Sequence, residues 1–326
     1  MSPSKIPGLV LQSSSDHRSI PVIGLGTASD DPSSDATKLA VIEAIKQGYR
    51  HFDTAYVYGS EKALGEGIAE ALRLGLVGSR DELFITSKLW CTDTHADRVL
   101  PALRTSLGNL QLEYLDLYLI HFPISAKPKT LFPDDGKVTE FDFLIKQDDI
   151  VPLDLQGVWR ALEEAQKLGL SKSIGVSNFS RGKLENLLSF ATIPPSVNQV
   201  ELNPSWQQKS LREYCKSKGI IITAYSPLGA KGSSWGTNNV MDNQLLKEIA
   251  ELHGKSVAQV SLRWLYEQGV SFVVKSYNKE RLKQNLEIFD WSLTESDYEK
   301  ISQVKQERTN NGPTEVPIED LWDGET

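Results

Sequence analysis

The chain has 326 residues, 40% hydrophobic and 24% charged, with a formal net charge of −8 at pH 7. That balance is ordinary for a globular protein and argues against nucleic acid or an anionic membrane surface as a partner. No apolar run approaches the ~20 residues that span a bilayer, Met1 to Pro7 lacks the apolar stretch of a secretory signal, and the two cysteines, Cys91 and Cys215, make no disulfide framework and suit the reducing cytoplasm.

In chain order, Leu9-Val10-Leu11 and Ile20-Pro21-Val22 flank a polar turn at Ser13-Ser14-Ser15-Asp16, which predicts an N-terminal β-hairpin over about 7–22. Short apolar runs then recur at 22–25, 49–52, 83–85, 115–120, 173–176, 197–202, 220–224 and 270–274. Between them lie segments of helical period, such as Leu155/Val158/Trp159/Leu162, Leu184/Leu187/Leu188 and Leu245/Leu246/Ile249/Leu252. Gly48 stops the helix before the second run. Ser60 is placed to cap the next helix, whose inner face is Leu64, Ile68 and Leu72. An additional helix is predicted over 257–268, and a last one after Thr294, with Asp297 completing a capping box.

Eight buried strands, each followed by a helix, mean a parallel α/β fold, and eight repeats favour the closed (β/α)8 barrel. With no Pro/Gly-rich linker, residues 1–326 are read as one domain. Three stretches resist the pattern: 122–152, 228–243 and 306–326. The first two leave the carboxyl ends of strands, where barrel active sites lie, and all three are read as substrate loops.

Each strand enters as apolar core and leaves with a polar side chain. In order these are Thr27, Asp53, Lys88, His121, Ser177-Asn178, Gln199-Glu201-Asn203, Tyr225-Ser226 and Lys275-Ser276. One such residue is commonly structural; a full ring at one rim points to a site. Tyr58, in the turn between the second strand and its helix, adds a phenol beside Asp53. His17, His51, His95, His121 and His253 show no metal-binding spacing, so no metal is expected. There is no Gly-x-Ser-x-Gly elbow, and Gly24-Leu25-Gly26 lacks the third glycine of the dinucleotide fingerprint.

Taken together, Gly24-Leu25-Gly26-Thr27, Arg50-His51-Phe52-Asp53-Thr54-Ala55, Lys88-Leu89-Trp90, Leu115-Asp116-Leu117-Tyr118-Leu119-Ile120-His121, Gly175-Val176-Ser177-Asn178-Phe179, Asn198-Gln199, Ala224-Tyr225-Ser226-Pro227-Leu228-Gly229 and Lys275-Ser276 resemble the aldo-keto reductase superfamily. The likeness runs from about 22 to 289. Ser79-Arg80-Asp81-Glu82-Leu83-Phe84-Ile85-Thr86-Ser87-Lys88 and Ile288-Phe289-Asp290-Trp291 resemble its plant branch, which includes chalcone (polyketide), codeinone, methylecgonone and galacturonate reductases.

The resemblance implies NADPH-dependent reduction of an aldehyde or ketone by a tetrad of Asp53, Tyr58, Lys88 and His121. A phenol has an ordinary pKa of about 10. Lys88, fixed by Asp53, is expected to lower that of Tyr58 and so make it the proton donor, with His121 polarising the carbonyl. The resemblance also assigns Thr27, Asp53, Ser177, Asn178, Gln199, Tyr225, Ser226 and Leu228 to the nicotinamide and pyrophosphate side of the cofactor. Lys275, Ser276, Arg281, Gln284 and Asn285 fall to its adenosine 2′-phosphate end. Tyr56-Val57 and Phe122 depart from common family residues and touch substrate choice rather than reaction.

Trp90, Phe122, Val57, Trp206 and Trp322 are read as the substrate pocket. The basic residues of 122–152 are all lysines (Lys127, Lys129, Lys137, Lys146), a poor carboxylate clamp, so a bulky cyclic or aromatic ketone of plant specialised metabolism, an alkaloid or polyketide, is the expected substrate. The alternatives are a sugar-acid or aldehyde reductase of the same family and a non-catalytic NADPH-binding regulatory subunit. A barrel isomerase or hydrolase fits the Lys275/Arg281 pair less well. The protein is expected to be a cytoplasmic monomer acting on a small carbonyl compound, without nucleic-acid or membrane partners.

Overall fold

Two short strands, β1 (Gly8–Val10) and β2 (Ser19–Pro21), pair antiparallel with Leu9 opposite Ile20, giving the predicted hairpin. The computed structural model describes residues 6–28, 35–129, 131, 144–232, 236–313 and 321–324. After the hairpin come β3 (Ile23–Gly26), α1 (Asp35–Gln47), β4 (His51–Asp53), α2 (Glu61–Arg73), β5 (Phe84–Leu89), α3 (Val99–Leu110) and β6 (Leu115–Ile120). A second small hairpin follows, β7 (Ser125–Ala126) with β8 (Ile150–Val151). Then run α4 (Leu155–Lys167), β9 (Ser171–Ser177), α5 (Arg181–Leu188), β10 (Val197–Glu201), α6 (Lys209–Ser217), β11 (Ile221–Tyr225), α7 (Gln244–His253), α8 (Val257–Glu267), β12 (Ser271–Val274), α9 (Lys279–Leu286) and α10 (Glu295–Ser302).

Strands β3, β4, β5, β6, β9, β10, β11 and β12 close into a barrel in that order, every neighbouring pair parallel. This is the expected (β/α)8 architecture. Parallel strands cannot be joined by tight turns, so helices cover the outside and every carboxyl end points to one rim. A large apolar core packs those helices on the barrel, including Phe52, Ile68, Leu103, Trp159, Leu187, Ile249 and Leu265. Leu11 and Ile20 of the first hairpin pack against Phe84, Leu117, Leu119 and Val197 and plug the other end. Close packing dictates Gly24: a Cβ there would sit 2.6 Å from Nδ1 of His51.

Some boundaries differ from expectation. Strand β5 continues through Thr86, Ser87 and Lys88, where 83–85 was expected, because each of these polar side chains is buried and finds a partner. Ser60 stands at the N-cap of α2 but its hydroxyl does not cap the helix; it meets Thr27 Oγ1 at 2.9 Å and Thr54 Oγ1 at 3.0 Å instead. On that helix Leu64 and Ile68 are buried as read, whereas Leu72 is half-buried. The predicted box at Thr294 and Asp297 forms with both reciprocal bonds. Of the stretch 122–152, read as a substrate loop outside the strand–helix pattern, the described part contains the β7–β8 ladder; residues 130 and 132–143, like 233–235, 314–320 and 325–326 of the other two loops, lie outside the described residues.

Candidate active site

Strand β4 delivers Asp53 to the rim, and a single 3-10 turn at Tyr56–Tyr58, closed by Gly59 at φ 66°, brings Tyr58 back over it. Lys88 arrives from β5 with no exposed surface. Its Nζ donates to Asp53 Oδ1 at 2.5 Å and to the Thr54 carbonyl at 2.9 Å. The other carboxylate oxygen accepts from Gln199 Nε2 at 2.8 Å, so three strands hold Asp53 fast. His121, just beyond β6, sets its Nε2 3.3 Å from the Tyr58 hydroxyl, with the two rings edge to face. The four residues of the expected tetrad therefore meet.

Their electrostatics differ from expectation in one respect. Burial pushes the Lys88 ammonium below its usual range, opposed by the Asp53 charge, and burial holds His121 well below 6.5, as a neutral ring. The Tyr58 phenol is driven up, first by burial and then by the Asp53 charge, and not down as Lys88 was expected to drive it. Lys88 Nζ lies 4.9 Å from the Tyr58 ring centre, and both its hydrogen bonds go to Asp53 and Thr54. Paired with the Asp53 carboxylate, the ammonium does not offset the burial and the Asp53 charge that drive the phenol up.

A second polar group adjoins the first. Ser177 Oγ donates to the Gln199 carbonyl, and Asn178 Nδ2 to the His121 carbonyl. Tyr225 donates its hydroxyl to Asn178 Oδ1 at 2.7 Å. Asn178 and Ser226 both adopt the left-handed region, φ 63° and 49°, conformations that non-glycine residues hold at a cost and that gather at ligand sites. Thr27 is fully buried, donating to the Asp53 carbonyl. Leu228 is packed against the outer core.

The remaining cofactor candidates gather at the start of α9. Lys275 and Arg281 are exposed, with Arg281 Nε 3.4 Å from Ser276 Oγ, and among the described residues neither has an ion-pair partner. Asn278 caps the helix through the Arg281 amide. Gln284 is exposed, whereas Asn285 is buried beside the Tyr49 hydroxyl.

The aromatic candidates divide. Val57, Trp90, Phe122 and Trp322 belong to one apolar cluster with Ala55, Ile124, Leu131, Ile145 and Leu321, against which Tyr58 packs. Trp90 meets His121 edge to face at 5.1 Å, and Phe122 stacks on it at 5.2 Å. Trp206 lies outside that cluster. It is linked to Trp322 through Arg308, whose guanidinium sits 4.7 Å from one ring centre and 4.0 Å from the other.

Three sets of contacts escaped the sequence reading, although Glu201 itself was placed at the rim. Glu201, buried, accepts the backbone amides of Thr309 and Asn310, and Asn310 Nδ2 donates to the Tyr225 hydroxyl at 2.8 Å. Arg308 stands between Trp206, far earlier in the chain, and Trp322, shortly after it. Asp323 bonds Ser180 and Lys183 at the start of α5. All three join the C-terminal segment to the rim, and no local periodicity encodes such contacts.

The model of the aldo/keto reductase family matches residues 22–306. An NAD(P)H-dependent 6′-deoxychalcone synthase of Glycine max is 61% identical over 98% of this chain and 98% of its own. A (1S)-1,7-diacetoxy-luvungin A aldo-keto reductase of Citrus sinensis is 56% identical over 95% of this chain and 96% of its own. A deoxymugineic acid synthase of Triticum aestivum is 55% identical over 94% and 96%. Among solved structures, a Bombyx mori aldo-keto reductase in complex with NADP superposes with a TM-score of 0.82 at 38% identity, covering 97% of each chain. The chain belongs to the aldo/keto reductase family.

Proposed function

We propose that this protein reduces the carbonyl group of a bulky cyclic or aromatic ketone to an alcohol, using NADPH and with Tyr58 as proton donor. The observation that carries the reading is the convergence of Tyr58 Oη and His121 Nε2 at 3.3 Å over the buried Lys88–Asp53 pair, beside an apolar aromatic cluster. The residues present fit the cofactor. The amide and hydroxyl groups of Ser177, Asn178, Gln199 and Tyr225 suit a carboxamide-bearing ring, and exposed Lys275 and Arg281 suit a phosphate. Bound there, NADPH supplies the hydride.

The chain's own residues do the rest. His121, neutral, orients the carbonyl oxygen. Tyr58, a phenol, is protonated near neutral pH, and its hydroxyl beside His121 Nε2 is placed to give up that proton as negative charge grows on that oxygen. Lys88, held by Asp53, stabilises the phenolate left behind. Val57, Trp90 and Phe122 give the substrate an apolar wall and exclude water from the transfer. The names of two relatives, a 6′-deoxychalcone synthase and a (1S)-1,7-diacetoxy-luvungin A aldo-keto reductase, support a bulky ketone. We take the whole chain as one catalytic unit acting in the cytoplasm as a monomer, a compartment that suits its two free cysteines.

A second reading rests on Arg308. A guanidinium at the aromatic rim suits a substrate that bears an acid, in line with the deoxymugineic acid synthases. NADPH oxidation measured against a panel of cyclic ketones and uronic acids tests the choice: ketones lead in kcat/KM on the first reading, acids on the second. NADPH binding without turnover of any carbonyl would leave a regulatory subunit.

A further inference from the structure

Glu61 is the first residue of α2, three positions after Tyr58, and it is 2% exposed. Among the described residues it has no ion-pair partner. Its carboxylate accepts from Ser87 Oγ at 2.6 Å and from Asn109 Nδ2 at 2.9 Å. Ser87 immediately precedes Lys88 on β5, and Asn109 lies in the last turn of α3. One buried acid thus ties together the helix that follows the Tyr58 turn, the strand that carries Lys88, and the helix behind both. The two helices already touch backbone to backbone: an added Cβ at Gly65 would collide with the Leu110 carbonyl.

A buried carboxylate without a cation is an expensive way to fill space, and an apolar side chain of that length would pack there without the desolvation cost. What the acid adds is direction. The front of the same turn is held by hydroxyls: Ser60 meets Thr27 and Thr54, and the Thr54 carbonyl receives Lys88 Nζ. Behind the turn, the Glu61 carboxylate is the side-chain tie to β5 among the described residues, through Ser87.

We propose that Glu61 is a positioning residue for reduction, setting the distance between the Tyr58 hydroxyl and the Lys88 ammonium by tying α2 to Ser87. It touches neither substrate nor cofactor in this scheme, so its loss falls on kcat and leaves NADPH affinity alone. Its negative charge acts in the same sense, adding to Asp53 in favouring the Lys88 ammonium. The inference rests on the roles given above to Tyr58 and Lys88.

The test compares the full-length wild type with Glu61→Gln, Ser87→Ala, their double variant and Ser87→Thr, which restores the hydroxyl. Steady-state kcat per folded molecule, NADPH Kd by fluorescence and thermal stability are read for each. A displacement of catalytic groups well under an ångström to about 1 Å predicts a fall in kcat of roughly 10- to 100-fold for Glu61→Gln. Ser87→Ala shows a smaller fall, the double variant is no worse than Glu61→Gln alone, Ser87→Thr recovers, and NADPH Kd stays within about twofold throughout. Wild-type kcat in folded Glu61→Gln overturns the proposal, as do losses that multiply in the double variant or a matching loss of NADPH affinity. If Glu61→Gln does not fold, equal kcat in Ser87→Ala and Ser87→Thr overturns it. Tyr58→Phe in the same assay separates the layers: turnover there removes the acid role itself, whereas an inactive Tyr58→Phe beside a normal Glu61→Gln removes only the role of Glu61.

Discussion

Lys88 lies under the ring of Tyr58, its Nζ 4.9 Å from the ring centre, yet it donates its hydrogen bonds to Asp53 and to the Thr54 carbonyl. The ammonium is thus part of the wall beneath the phenol, and its charge is shared with a carboxylate before it reaches the hydroxyl. This arrangement keeps Tyr58 protonated until charge develops on a carbonyl oxygen above it.

Replacing Tyr58 by Phe removes the proton and little else, since the hydroxyl meets His121 Nε2. Turnover is expected to fall by roughly 10²–10⁴-fold with NADPH affinity unchanged. Parallel measurement of kcat and cofactor Kd checks this; wild-type kcat would take Tyr58 out of the mechanism.

Much of this site was legible because barrel strands announce themselves: an apolar run ending in a polar residue places Asp53, Lys88, His121 and Gln199 on one rim. Parallel register then brings them together without further information. What was not legible is tertiary. The direction of the Tyr58 pKa depends on burial and on Lys88 facing Asp53, and Glu61 reads as an ordinary first-turn acid until Ser87 and Asn109 close on it. Ser60 was misread for the same reason, its hydroxyl being drawn to Thr27 and Thr54 by their burial in one pocket.

The pH profile follows from Lys88. Its ammonium pKa lies below 10.5 because it is buried, so the charged form is present below the lowered value and lost as pH rises through it. Reduction is expected to be level around neutrality and to fall on the alkaline side before pH 10.5. His121, held neutral well below 6.5, contributes no break near that pH. Measuring kcat against pH decides it; an acid limb centred near 6.5 would contradict the neutral imidazole.

Arg281 and Lys275 are exposed cations in a chain of net charge −8, and Arg281 is braced by Ser276. Charge-assisted bonds to the 2′-phosphate make Arg281→Ala weaken NADPH by roughly 10- to 100-fold while NADH, which lacks that phosphate, changes little. Titrating both cofactors by fluorescence quenching gives the ratio, and equal losses would assign Arg281 to another part of the nucleotide.

The substrate question turns on which part of the rim a substrate uses. Trp90 and Phe122 flank His121 within about one ring's reach, while Arg308 stands further along the C-terminal segment, sandwiched between Trp206 and Trp322. A cation between two indoles is held in place by contacts of about 0.5–2 kcal/mol each, so Arg308 also braces Trp322 against the apolar cluster. For a bulky neutral ketone the ring contacts dominate, and losing an indole that buries 150–250 Å² typically costs more than losing a distant charge. Trp90→Ala is therefore expected to lower kcat/KM for cyclic ketones at least tenfold, by roughly the 1–3 kcal/mol that pocket contacts contribute, and Arg308→Ala only a few-fold. Uronic acids are expected to be poor substrates of the wild type. Assaying both substrate classes on both variants separates the readings: a uronic acid that is the best substrate, indifferent to Trp90→Ala and abolished by Arg308→Ala, would place recognition on the guanidinium and replace the ketone assignment with an acid-bearing carbonyl.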